Sequence, residues 1–212
     1  TKQAEAAFSM AISRGDRPFA DYLDRALVRI FLGDLEGVAA DLKQAGAIRE
    51  EHPRLYLVRG LLHLKRQEYG QAQTQLEEAM RGRKTAGIGT LYLGMAHFAQ
   101  ENWQQARLHL DRFLETHTGS RQARVLLARL ALQDQAYERA ERLLRPVAGE
   151  QAHPSVLGLL GRVQIAQGEP RAGAELLRRA KGGEGAGGDT AVGLTLLSRG
   201  QTGLGIEELE LA

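Results

Sequence analysis

The sequence predicts an all-α fold, an α-α superhelix (solenoid) of stacked helical hairpins, and three observations carry the prediction. Small, aromatic, alanine and leucine landmarks recur at a spacing of 34 residues. Apolar residues between them fall at helical spacing, on one face of a 3.6-residue turn. Glycine and proline mark the joints. Self-similarity at this period means that each unit buries its apolar face against the next unit, without one shared core.

The reference stretch runs from Leu57 to Ala79 and carries Gly60, Tyr69, Ala72 and Leu76. One period on stand Gly94, Trp103, Ala106 and Leu110, and a second step finds Ala128, Tyr137, Ala140 and Leu144. One period back stand Ala26, Leu35, Val38 and Leu42, and a further step reaches Ala4 and Phe8. Small residues at two fixed points let the helices of a unit approach closely, and close approach decides the packing angle. Helix–turn–helix units with these landmarks resemble the tetratricopeptide repeat. The resemblance runs through the whole chain.

Taken in order, residues 1–14 read as the second helix of a truncated repeat, with Ala4, Phe8 and Ala11 at the expected positions. Its partner helix is missing, so a piece of a longer array with an exposed apolar end is expected. Gly15 and Pro18 stop and restart the chain. Successive repeats follow at about 18–47, 53–83, 87–116, 119–148, 154–181 and 189–211. The first turns at Gly33-Asp34, the second opens on Pro53, and Pro146 should end or kink the second helix of the fourth. The fifth turns at Gly168-Glu169-Pro170. After it, residues 182–188 (GGEGAGG) are too glycine-rich for a helix and read as an inter-unit loop. A phosphate-cradling loop would need a preceding strand and a following Lys-Ser/Thr, and neither is there. The last unit keeps Gly193 and a turn at Gly200.

Composition narrows the function. Hydrophobic residues make up 43% and charged residues 25%, and a net charge of +2 is too small to argue for nucleic acid. The arginines are scattered over helix faces without forming a block. The absence of cysteine excludes disulfides and thiolate metal sites while leaving the compartment open. No apolar run of membrane-spanning length and no signal sequence occurs in this stretch.

Candidate chemistry is thin. Of six histidines, His63 and His97 lie one period apart on neighbouring first helices, with no carboxylate at a matching ligand position. They read as stand-ins for the tyrosine common there, so no metal is expected. His117 and His153 sit near helix ends and read as caps. No Gly-x-Ser-x-Gly elbow or other positioned nucleophile occurs, and the pairs Glu77-Glu78 and Glu207-Glu208 read as solvated faces. Neither a catalytic residue nor a cofactor is expected. Arg25 and Arg59 stand one period apart where leucine is usual. Their stems are expected to pack while the guanidinium groups reach solvent, with a binding role as the second reading.

Function is then expected in a surface. In stacked hairpins the first helices line the concave side, and three positions of each first helix project inward. They read Leu23, Leu27 and Ile30 in the first full unit and Leu57, Leu61 and Leu64 in the second. In the third they read Leu91, Met95 and Phe98, while Arg129 and Arg162 share one of these positions in the fourth and fifth. An apolar groove with a basic end suits an amphipathic helix or an apolar peptide carrying acidic residues, so the expected partner is a protein segment. Some tetratricopeptide proteins clamp acidic tails with an asparagine and a Lys-Arg pair at fixed positions, and this chain has neither.

The resemblance narrows at residues 91–147, LYLGMAHFAQENWQQARLHLDRFLETHTGSRQARVLLARLALQDQAYERAERLLRPV. The helix A-x4-L-x-R-F-L followed by AR-x-LLA and LL-x-P resembles the tetratricopeptide lipoproteins of bacterial PEP-CTERM/exosortase systems. The closing SRGQTGLGIEELELA is similar to that family's unit ending. Thr116-His117-Thr118 departs from it where Asn-Pro is frequent. The resemblance implies a scaffold lipid-anchored on the periplasmic side of the cell envelope and linked to exopolysaccharide production and protein sorting. A cytoplasmic location is the alternative. For function, the alternative is a regulatory or substrate-presenting module of a larger enzyme, such as a glycosyltransferase or polysaccharide synthase. Self-association through the truncated end is a further expectation.

Overall fold

Residues 2–15 and 17–180 are described by a computed structural model. The glycine-rich stretch 182–188, the last expected repeat at 189–211 and Glu207-Glu208 lie outside the described residues. Among those described there are eleven α-helices and one short 3-10 turn, with no strand. The chain divides into two compact units, Thr1–Phe113 and Leu114–Ala212.

Unit one contains α1 (Lys2–Arg14) and three hairpins: α2 (Pro18–Leu32) with α3 (Leu35–Ile48), α4 (Pro53–Lys65) with α5 (Tyr69–Met80), and α6 (Ala86–Ala99) with α7 (Trp103–Thr116), whose last turn crosses the unit boundary. Pro18 and Pro53 stand at the first helical position, where a missing N–H costs nothing. Asp34 caps α3 by accepting from the Gly37 N–H at 2.9 Å.

Each hairpin turns in the same way. Gly33, Gln67 and Glu101 occupy one repeat position and all take the left-handed conformation, with φ of 79°, 61° and 61°. The following N–H then reaches back to the carbonyl five residues earlier: Asp34 to Arg29 at 3.0 Å, Glu68 to His63 at 2.9 Å, Asn102 to His97 at 2.9 Å. This is a Schellman closure, in which orphan carbonyls at the helix end are satisfied. Only Gly33 enters it without a steric cost.

The small landmarks are where the helices touch. A Cβ on Gly60 would come 2.7 Å from Leu76 Cγ, and one on Gly94 would come 2.9 Å from Leu110 Cγ. Ala72 and Ala106 are fully buried on the opposing helices. The glycine and the leucine of one repeat therefore interlock. Leu23, Val38, Leu42, Leu55 and Val58 fill the core between the first two hairpins.

Unit two begins with the last turn of α7 and contains α8 (Arg121–Gln133) with α9 (Tyr137–Leu144), and α10 (Pro154–Ala166) with α11 (Pro170–Ala180). As expected from Pro146, α9 stops early and tightens into a 3-10 turn over Arg145–Val147. Gln135 (φ 59°) and Gly168 (φ 90°) repeat the left-handed turn seen in unit one. Ala128, Ala140, Leu144, Val156 and Val163 form the core of this unit.

Candidate protein-binding surface

In unit one the inward positions of the first helices divide into two sets. Leu23, Ile30, Leu61 and Leu91 are buried. Leu23, Ile30 and Leu61 belong to the hairpin core, so these side chains hold helices together and are not offered to a partner. Leu27, Leu57, Leu64, Met95 and Phe98 are half-buried, and of these Leu27 and Leu64 pack against the hairpin core. Phe98 is braced edge-on by Trp103, ring centroids 5.3 Å apart. Ile88 on α6 is exposed, and Phe31 at the end of α2 is 88% exposed. Unit one thus carries large apolar side chains in water on its first helices. In unit two, Arg129 on α8 and Arg162 on α10 are both exposed.

Two arginines of α4 are paired with carboxylates of the preceding hairpin. Arg54, at the start of α4, is paired with Asp24 of α2. Arg66 at the end of α4 reaches Glu36 at 3.1 Å. No basic clamp for an acidic tail remains at Arg54.

One arginine is placed otherwise than the sequence suggests. Arg25 does not send its guanidinium to solvent. Its Nε donates to both Asp41 carboxylate oxygens at 3.2 and 3.1 Å, and its Nη2 donates to Oδ1 at 2.5 Å. Arg29 Nη1 donates to Asp41 Oδ2 at 3.0 Å, while its Nε donates to Glu5 of α1 at 2.8 Å. The Asp41 side chain is 1% exposed, and a carboxylate so buried persists because two guanidinium groups surround it. Arg59 lies over the Tyr56 ring at 6.0 Å, its Nη2 so close to Gly46 of α3 that a Cβ there would come within 2.9 Å. The Arg25 guanidinium ties α2 to α3 through a charge-assisted pair, while Arg59 packs its side chain beside Tyr56 and Gly46.

Asp41 belongs to a polar seam that sequence reasoning missed. Asp41, Gln75 and His109 stand 34 residues apart on successive second helices. Asp41 is satisfied by the arginines, but Gln75 Oε1 and the Nδ1 atoms of His97 and His109 are buried with no hydrogen-bond partner. The His97 and His109 rings stack at 5.4 Å with planes 9° apart. Burial pushes both imidazoles below the ordinary histidine range; for His109 the neighbouring His97 and Arg112 push the same way, and Glu77 of α5 opposes the shift in both. The available signal was the 34-residue step itself, applied to polar residues as well as to apolar ones.

The other histidines do local work. His63 Nδ1 lies 2.6 Å from Glu68 Oε2 across the α4–α5 turn, so a carboxylate does accompany it. His52 and His153 cap α4 and α10, accepting from the N–H groups of Arg54 at 3.1 Å and Ser155 at 3.2 Å. His52 titrates lower than usual because of burial and then of Arg49 and Arg54. His117 follows α7, with its Nδ1 2.8 Å from Thr116 Oγ1. Among the described residues, no three His, Asp or Glu side chains converge on one point. No described helix is long and apolar enough to cross a membrane.

Comparison with known proteins agrees with this geometry. Two family models, both described as tetratricopeptide repeat, match residues 57–120 and 97–163. No curated protein matches the chain by sequence. Among solved structures, the Cut9–Hcn1 hetero-tetramer of the APC/C is similar with a TM-score of 0.78 at 15% identity; the match covers 99% of this chain and spans only 42% of that one. PilW, a type IV pilus biogenesis factor, is similar with a TM-score of 0.71 at 18% identity, covering 99% of this chain and 89% of that one. YrrB, a tetratricopeptide protein with an unusual peptide-binding site, gives 0.60 at 18% identity, covering 96% and 98%. At these identities the likeness is one of fold. Joined to the repeat landmarks, the interlocked glycine–leucine contacts and the shared turn geometry, it makes the chain a tetratricopeptide-repeat protein.

Proposed function

We propose that the chain is a non-catalytic scaffold that holds a peptide or helix of a partner protein along the first helices of unit one. The observation that carries this reading is the half-exposed row Leu27, Leu57, Leu64, Met95 and Phe98, next to an arginine already neutralised by Asp24. Apolar side chains on successive helices suit the apolar face of an amphipathic segment. YrrB, of similar fold, is described by its peptide-binding site, which supports peptide capture by an array of this size.

The setting we propose is the bacterial cell envelope, in a system linked to exopolysaccharide production and protein sorting. Its support is the lipoprotein-like run at residues 91–147. A signal peptide with a lipidation cysteine in the full reading frame supports it, and a fused catalytic domain contradicts it. The exposed face of α1, where Ala6, Ala7 and Met10 line up, is the place for self-association, read by sedimentation of Met10→Glu.

The groove is tested with Leu64→Glu together with Met95→Glu, chosen because neither residue is in the fully buried core. Partners captured by the wild-type chain should be lost by a double variant of unchanged helicity. Retained capture by a folded double variant contradicts the reading.

A further inference from the structure

The polar residues inside unit one change from hairpin to hairpin, and the third hairpin is left with two bases and no acid between them. Arg29, His63 and His97 hold one repeat position on the first helices α2, α4 and α6. Five residues on, at the turn, stand Asp34, Glu68 and Asn102. Arg29 Nε lies 3.5 Å from Asp34 Oδ2, and His63 Nδ1 lies 2.6 Å from Glu68 Oε2. His97 has an amide where the other two have a carboxylate. On the second helices, Asp41, Gln75 and His109 hold one position. Arg29 therefore meets a carboxylate there as well, at 3.0 Å, whereas His97 meets another imidazole.

The contact between the two imidazoles has no place for a proton. The rings are near-parallel, with planes 9° apart and centroids 5.4 Å apart. His97 is 6% exposed, and the Nδ1 atoms of both rings are buried without a hydrogen-bond partner. A cationic imidazole donates from both nitrogens, so its Nδ1–H would be a buried donor with no acceptor, and a second proton would set two like charges face to face. Among the described residues, the charged groups acting on the pair are Glu77 of α5, whose exposed carboxylate favours the proton, and Arg112 of α7, which opposes it at His109. Burial outweighs Glu77, so both rings refuse a proton at the pH where an exposed histidine, at its ordinary 6.5, accepts one. The same stretch carries part of the apolar row. Met95 and Phe98 flank His97 on α6, and Phe98 is braced by Trp103 at the start of α7, 5.3 Å away.

We propose that the His97–His109 stack is an acid-sensitive latch between α6 and α7: when the rings take up protons the two helices part, Phe98 loses its brace on Trp103, and the third hairpin no longer presents Met95 and Phe98 to a partner. The direction follows from linkage. The open hairpin binds protons that the closed one refuses, so opening gains as pH falls below 6.5, by up to about tenfold per ring over the first pH unit. The other two hairpins lack this weakness. Arg29 is charged throughout and has its carboxylates, and a proton on His63 meets Glu68. The inference rests on the scaffold reading for what is released, while the latch itself is a property of the third hairpin.

Trp103 is the chain's single tryptophan, so its emission reads the contact with Phe98. When the full chain is titrated from about pH 7.5 to about pH 5, Trp103 emission should change before helicity by circular dichroism does. His97→Leu with His109→Phe should abolish that change. Asn102→Glu, which gives His97 the carboxylate that His63 already has, should move it to lower pH by about half a pH unit or more. A labelled amphipathic peptide of leucine, alanine, lysine and glutamine, none of which titrates in this range, should bind at least about tenfold more weakly at about pH 5.5 than at about pH 7.5. A silent Trp103, a change that coincides with loss of helicity, or a change untouched by either variant overturns the latch. So does a peptide held equally tightly at both pH values. If the peptide binds at neither, the groove reading fails, and the Trp103 titration alone still decides the latch.

Discussion

Removing the Asp41 carboxylate should cost unit one far more than an ordinary polar substitution on a helix. In Asp41→Ala, Arg25 loses its Nε and Nη2 contacts and keeps Ser9 Oγ at 3.0 Å and the face of the Tyr22 ring at 5.7 Å. Arg29 keeps Glu5 and the Gly37 carbonyl, the latter at 3.1 Å. The guanidinium side chains are 16% and 17% exposed, so water replaces the lost partner poorly. Breaking a buried ion pair from one side costs about 3–5 kcal/mol. The lower end applies here, because Arg29 retains a carboxylate and because alanine is the better helix former by up to about 0.7 kcal/mol. A loss of about 3 kcal/mol is expected, read as an earlier urea midpoint by circular dichroism. Replacing Arg25, Arg29 and Asp41 by leucine together with Glu5→Gln, the other carboxylate that Arg29 holds, should be far milder, since no orphaned charge remains. An Asp41→Ala midpoint within about 0.5 kcal/mol of wild type refutes the reasoning.

Three further outcomes follow from the same geometry. Above the unperturbed histidine value of 6.5, His97 and His109 are neutral in both folded and unfolded states; as pH falls below it the unfolded chain takes up protons that the buried rings refuse. Stability should therefore fall on acidification, by about 1.4 kcal/mol for each unit separating folded from unfolded pKa, and His97→Leu with His109→Phe should flatten that part of the pH profile. Glu101→Gly should raise stability by about 0.5 kcal/mol, because relief of the left-handed strain outweighs the added freedom of the unfolded chain, whereas Gly33→Ala should lower it by about 1 kcal/mol; thermal melts check both. Ala106→Leu forces side-chain volume into a fully buried crossing and should cost about 1–3 kcal/mol, and an unchanged melting curve places the repeat register elsewhere.

The repeat was legible because its landmarks are steric. Gly60 against Leu76 and Gly94 against Leu110 leave no room for a Cβ, so the same residue types return at the same step. The turns were legible only in part. Gly33 and Gly168 announce a positive φ, but Gln67, Glu101 and Gln135 adopt it too, held by the Schellman hydrogen bonds that glycine makes easier and does not alone determine. The polar seam was hidden for another reason. Arg25 and Asp41 are 16 residues apart on different helices, and a lone aspartate in a helix reads as a solvated residue until its partner is placed. Among the inward residues, Leu23 and Leu57 hold one repeat position, yet Leu23 is fully buried and Leu57 only half so. Repeat position tells which way a side chain faces, and how deep it lies depends on what packs around it.

The most direct measurement for the proposed function is hydrogen–deuterium exchange of the chain with and without a captured partner segment. Docking on the first helices of unit one slows exchange along α2, α4 and α6, with the largest change around Leu57, Leu64 and Met95, and leaves the outer turns of α3, α5 and α7 as they were. Protection confined to the second helices, or to neither set, contradicts the claim.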